Sequence, residues 1–149
     1  MLAMTEERFW TNSSTALSSS LPKGQNNKVM DITKLTLIET LMALEKKEFS
    51  EAELNKSYLA RIKELNPKLN AFLEVREDSD KIPAAIKDII CTQNITTTAG
   101  SKILSNFFPP YNATVVNKLL IQGISVIGKT NLDEFAMGSS GENSAYGVT

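Results

Sequence analysis

The sequence predicts an α/β chain: a helix hairpin first, then short strands and a helix with at least one parallel strand pairing. Three observations lead there. Between Thr36 and Leu65 the apolar residues recur at helical spacing behind two capping signals. From Asn70 the period shortens to brief apolar and β-branched runs broken by polar turns. Finally, a strand, a helix and a strand follow one another before Gly128, an order that requires at least one parallel pairing.

The first 30 residues stand apart. Thr11 to Asn27 is rich in Ser, Thr and Asn, carries Pro22 and Gly24, and has few apolar side chains to anchor it, so residues 1–30 read as a disordered tail. Glu6 and Glu7 occupy the place of a positive n-region, and no apolar segment follows, which argues against a secretory signal; Arg8 alone supplies the arginine that a transit peptide needs. Three Asn-x-Ser/Thr sequons, at Asn12, Asn94 and Asn112, are read as chance matches.

Residues 31–149 carry the folded part. Thr36 with Glu39 and Ser50 with Glu53 each fit a capping box, and Leu37, Leu41 and Leu44, then Leu54, Tyr58, Ile62 and Leu65, form the apolar stripes of two helices. These stripes suit a core or a partner surface, and core is the reading adopted. Asn66-Pro67 is expected to end the second helix, because proline disfavours helical geometry in the residue before it. Asn70 to Val75 and Ile82 to Asp88 read as strands around a polar turn from Glu77 to Lys81. Thr114 to Gln122 reads as a helix closed by Gly123, Ile124 to Gly128 as a buried strand, and Asn131 with Glu134 as one more capped helical turn.

Composition narrows the function classes. The 149 residues hold 42% apolar side chains, enough for one core or part of a larger one. Sixteen basic and 17 acidic residues are well mixed, so no basic stripe marks a nucleic-acid surface. No apolar run approaches the ~20 residues of a membrane span. Histidine is absent, which excludes Ser-His-Asp and Cys-His machinery and any His-based metal site built from this chain alone. Cys91 has no cysteine partner and fits a reducing compartment.

Several motifs bear on chemistry. Gly123 to Thr130 satisfies the phosphate-binding pattern G-x-x-x-x-G-K-S/T, but a P-loop needs a strand before its first glycine and a helix near its lysine. Here a helix precedes Gly123 and the residues Ile-Ser-Val-Ile form a strand, so nucleotide binding is rejected. Lys87 ends an apolar strand and shares its face with Ala85 and Ile89. Taken alone, such a lysine points to solvent in most proteins. Apolar surroundings would instead favour the neutral amine and make it a general base near neutral pH. Cys91, beside Lys87 and Asp88, fits a cation-activated nucleophile or a small buried side chain, and the second reading is preferred. Asp133 and Glu134 fit a pair of acids or first-turn carboxylates that favour the helix dipole, and the second reading, which needs no catalytic role, is preferred.

The segment NLDEFAMGSSGENSAYG, Asn131 to Gly147, together with IPAAIKD, Ile82 to Asp88, resembles the amidase signature family. The resemblance runs from about Leu35 to Thr149 and tightens through CTQNITTTAGSKIL and PPYNATVVNKLL; the closing segment reads much like the A subunits of tRNA-dependent amidotransferases. It implies that Lys87 is the family's lysine base, which deprotonates a serine that relays to a second, nucleophilic serine. It also implies that backbone groups near Met137 and Gly138 and the hydroxyls of Ser139 and Ser140 line the substrate pocket. A GSSG run is equally a turn, and neither serine is taken as the nucleophile.

The resemblance also sets what is missing. The family's relay serine and nucleophile lie in later motifs of the GGSSGGS and GSDTGGS type, which this sequence does not contain. The stretch before the lysine strand is short, and Lys81 stands where the family places glycine before Ile-Pro. The chain is therefore expected to be the truncated N-terminal portion, over residues 31–149, of an amidase signature domain, holding only part of that family's mixed, helix-flanked sheet and inactive alone. The complete protein would hydrolyse glutamine and pass ammonia to amidotransferase B- and C-type subunits, converting Glu-tRNA(Gln) or Asp-tRNA(Asn) to Gln-tRNA or Asn-tRNA. No cofactor is expected in this chain; ATP and magnesium would belong to the partner subunit, tRNA would bind only the assembled complex, and the location would be cytoplasmic or organellar. The alternatives are a non-catalytic module that binds those subunits and a truncated amidase for other amides.

Overall fold

A computed structural model describes residues 31–149, so the expected tail over residues 1–30 lies outside the described residues. The helix hairpin is present. Helix α1 spans Leu37–Glu45 and α2 spans Glu51–Leu69. Both capping boxes form as the sequence predicts. Glu39 N–H donates to Thr36 Oγ1 at 3.3 Å while Thr36 N–H donates to the Glu39 carboxylate at 2.8 Å. Glu53 N–H and Ser50 Oγ repeat the first contact at 3.2 Å, and Ser50 N–H with the Glu53 carboxylate the second at 2.8 Å. Each box satisfies orphan donors at a helix start, which fixes where the helix begins. Between the helices Ala43, Phe49 and Leu54 are buried, with Leu35, Leu44 and Tyr58 packed against them. Leu37, by contrast, is 59% exposed beside the exposed Ile38, so the first stripe is core only on its inner side.

The end of α2 differs from the expectation. The helix passes through Pro67 and stops at Leu69. Proline gives up one backbone donor, yet Asn70 N–H still reaches Asn66 O at 2.8 Å. The Asn66 carboxamide then clamps the departing chain, accepting from Phe72 N–H at 2.7 Å and donating to Phe72 O at 3.0 Å. Asn70 itself takes a left-handed φ of 47° at the helix end, so the following strand begins two residues later than the sequence suggests.

Strands β1 (Phe72–Val75), β2 (Ile82–Lys87) and β3 (Ile124–Thr130) form one sheet in the order β1–β3–β2. β3 runs antiparallel to β1 and parallel to β2, the mixed arrangement expected. Helix α3, Thr114–Ile121, packs on β3 and buries Val116 completely. Gly123, with φ +74°, closes α3 and turns the chain directly into β3. β3 continues two residues past the expected end, so Gly128, Lys129 and Thr130 belong to the strand. A side chain at Gly128 would strike the Glu74 carbonyl and the Phe72 ring, which explains the glycine. The whole Gly123–Thr130 stretch is thus helix closure and strand, not a phosphate loop. Among the described residues β1 and β2 each pair on one side only, as an incomplete sheet requires.

Candidate functional site

Strand alternation sets up the site. Ile86 and Asp88 point inward and are buried, while Ala85 and Lys87 point outward and Ile89 is 40% exposed. Lys87 therefore stands on an open face, opposite Thr130 in the parallel register. Among the described residues no element covers the face that Lys87 shares with Ala85 and Ile89, so its amine stands exposed rather than in the apolar surroundings expected. Its backbone is well held: Ile90 N–H donates to Lys87 O at 2.9 Å, and Asp88 N–H to Thr130 O at 3.0 Å.

Beneath Lys87 lies an ion pair that the sequence reading did not identify. Lys129 Nζ sits 3.3 Å from Asp88 Oδ1, with the side chains 0% and 1% exposed. The ammonium also donates to Ile90 O at 2.9 Å and Thr97 Oγ1 at 2.8 Å, so its three protons have three acceptors. Burial lowers the Lys129 pKa below the ordinary lysine value, and Asp88 draws it back up. The other Asp88 oxygen accepts from Thr98 N–H at 2.9 Å and from the Thr98 hydroxyl. The signal for this pair was present: an aspartate one residue past Lys87 must face inward, and a lysine in a buried strand needs a carboxylate.

The Thr97–Gly100 turn joins this pair to the FAMG segment. Ala99 N–H donates to Asp88 O at 3.0 Å, and Ala99 O accepts from Phe135 N–H at 2.8 Å. Ala99, Phe135 and Ala136 hold left-handed φ values of 53°, 54° and 57°. Each such conformation costs a non-glycine residue of order 1–3 kcal/mol, and such strain persists only where the surroundings impose it. The expected capped helix from Asn131 is thus a single 3₁₀ turn, Glu134–Ala136, broken at Phe135. Asn131 caps nothing; its carboxamide oxygen accepts from Leu132 N–H and the Ser144 hydroxyl, and its amide nitrogen donates to Asn70 O and Gly147 O.

Asp133 also departs from its expected role. Rather than sitting against a helix dipole, its buried carboxylate accepts from Asn143 N–H at 2.9 Å and Gly141 N–H at 3.0 Å. Those backbone donors, Asn143 first, hold its pKa below the usual aspartate value. Gly138 lies so close to this carboxylate that a side chain there would overlap it. The result is a shaped loop that presents Met137, 75% exposed, with Ser139 and Ser140 also at the surface. Ser140 Oγ donates to the Glu142 carboxylate at 3.0 Å. Cys91 is half-buried and donates weakly to the Tyr111 hydroxyl at 3.8 Å, a packing contact.

Lys87 and the FAMG loop are thus tied to one turn, through Asp88 and Ala99. A cavity of about 240 Å³ beside the pair is lined by Leu73, Glu74, Asp88 and Thr98, among others, and a larger hollow of about 490 Å³ lies in the α1–α2 hairpin. Neither is lined by Lys87 or by Met137 to Ser140. No helix among the described residues is long and apolar enough to cross a membrane.

Comparison with known proteins agrees with this architecture. The chain is 47% identical over 140 residues to the glutamyl-tRNA(Gln) amidotransferase A subunit of Thermoanaerobacter pseudethanolicus, covering 80% of this chain and 29% of that protein. The corresponding A subunit of Hahella chejuensis is 44% identical over 132 residues, covering 75% and 27%. Among solved structures, the glutamyl-tRNA(Gln) amidotransferase A subunit of Thermotoga maritima superposes with a TM-score of 0.70 at 44% identity, over 78% of this chain and 27% of that one. The native peptide amidase of Stenotrophomonas maltophilia follows at TM-score 0.66 and 30% identity, over 74% and 28%. The chain spans less than a third of the length of these relatives. The Amidase family pattern matches residues 53–149, from α2 through both the lysine strand and the FAMG loop, and the chain belongs to that family.

Proposed function

We propose that this chain is the N-terminal part of a glutamine-hydrolysing amidotransferase A subunit, with Lys87 as its general base. The observation that carries the reading is the anchored end of β2. Lys87 projects to an open face while both backbone neighbours are locked, so a covering element could meet the amine at a fixed position. Similarity to amidotransferase A subunits over 80% of the chain supports the choice of substrate class. In this reading Lys87 takes the proton of a serine hydroxyl supplied outside these residues. A second serine gives its proton to the first and attacks the glutamine carboxamide carbon. As the C–N bond breaks, the proton held by Lys87 passes back through the first serine to the leaving nitrogen and ammonia departs. Water then cleaves the acyl-serine ester to give glutamate and restore the serine hydroxyl. Backbone groups near Met137 and Gly138 and the hydroxyls of Ser139 and Ser140 orient the carboxamide. B- and C-type subunits take up the ammonia, with ATP and magnesium on the partner and tRNA bound by the assembly.

The test is ammonia release from glutamine by the complete polypeptide that carries these residues, together with its partner subunits. Lys87→Ala is expected to lower kcat by at least roughly 10³-fold, since relay members act as a unit. Retained activity in that variant would refute the assignment. A preference for glutamine over simple alkyl and aryl amides separates this reading from an amidase for other substrates.

A further inference from the structure

We propose that Lys129 is a positioning residue for Lys87: by neutralising Asp88 in a dry site it locks the residues that follow the base and couples them to the FAMG loop. The inference rests on the reading of Lys87 as the base. Its support is the placement of each contact. The Lys129 ammonium reaches Asp88 and Ile90 O, the positions one and three residues past Lys87, and Thr97 Oγ1 on the facing turn. Ile90 N–H returns to Lys87 O, closing a tight turn around the base. Asp88 grips the same facing turn three times, through Thr98 N–H, the Thr98 hydroxyl and Ala99 N–H, and Ala99 O in turn holds Phe135 N–H. One buried cation thus sits where the end of β2, the Thr97–Gly100 turn and the proposed substrate loop converge.

A purely structural filler does not need this chemistry. Two buried charges carry a desolvation penalty, and an apolar pair of similar volume commonly gives equal or better stability. What apolar side chains cannot supply is a set of directed hydrogen bonds that fixes backbone carbonyls and turn positions. Lys129 has no exposed surface, so it cannot meet a substrate itself, and its influence must pass through Asp88 and Ile90.

The experiment compares Lys129→Met, the charge-balanced double variant Asp88→Asn/Lys129→Met, and Thr97→Val with the parent in the complete polypeptide and its partners. Glutamine-dependent ammonia release is resolved into kcat and KM, and thermal midpoints are measured alongside. The expected result is that the double variant regains most of the midpoint lost by Lys129→Met but keeps a kcat deficit of about 100-fold with KM nearly unchanged, the signature of a misplaced base. Parental kcat in the folded double variant would overturn the proposal. If the double variant does not fold, Thr97→Val decides: it removes one acceptor from Lys129 without changing shape, and kcat should fall several-fold at constant KM, whereas unchanged kcat overturns the proposal. Failure of the underlying reading shows differently, as full activity in Lys87→Ala.

Discussion

Replacing Lys129 by methionine should be among the most damaging single changes in the described fold, and the reason is electrostatic rather than steric. Methionine has nearly the length of the lysine stem, so little volume is lost. The substitution leaves the Asp88 carboxylate 1% exposed with Thr98 as its remaining side-chain partner, and strips Ile90 O and Thr97 Oγ1 of their shared donor. Breaking a buried pair from one side costs about 3–5 kcal/mol, because an uncompensated charge remains in a dry site. Adding Asp88→Asn removes that charge while keeping an oxygen to accept from Thr98. The double variant should then lie only about 1–2 kcal/mol below the parent, the net contribution of the lost hydrogen bonds. The two changes are therefore strongly non-additive, with a coupling of roughly 2 kcal/mol or more. Urea unfolding followed by far-UV circular dichroism at pH 7 measures each variant by linear extrapolation. A cost below about 1 kcal/mol for Lys129→Met, or equal costs for the single and double variants, would refute the account of a buried, mutually dependent pair.

Two further outcomes follow from the local chemistry. Ser50→Ala removes the side-chain acceptor for Glu53 N–H at the start of α2 and should lower stability by about 1 kcal/mol, read in the same unfolding assay, while Ser50→Gly should cost less. Asp133 has a folded pKa below its ordinary value of 3.8, so the carboxylate form stabilises the loop; that contribution is complete above 3.8 and is lost as pH falls through the folded value. Hydrogen exchange at the Gly141 and Asn143 amides should therefore lose protection in acid, and Asp133→Asn should show weak protection at every pH; protection that ignores both changes would remove Asp133 from this role.

How much of this was legible in advance depends on the range of the interactions. The hairpin could be read because capping and helical periodicity act within four residues, and both boxes form between the residues that carry the pattern. Gly123 was equally readable, since a left-handed glycine is a common helix closure set by the adjoining turn alone. Asn66-Pro67 misled because the local preference of a residue before proline is small. The clamp from the Asn66 side chain to Phe72, together with the left-handed Asn70, outweighed it. Asn131 misled for a related reason: its side chain had better partners at Asn70, Ser144 and Gly147, all distant or on another segment, than the helix end it was expected to cap.

The sequence by itself determined the family, the mixed α/β class and the residue that ends the lysine strand, because each is written in contiguous residues or in one strand's alternation. Only the tertiary structure decided what lies under Lys87. Lys129 and Ile90 are 39 residues apart in the chain, and nothing local marks them as partners. They meet because β2 and β3 pair in parallel, which places Ile86 beside Lys129 and Lys87 beside Thr130. That register turns Asp88 and Lys129 toward the same dry space, where neither charge could remain without the other. The same pairing leaves Lys87 facing outward, since adjacent residues in a strand must point to opposite sides.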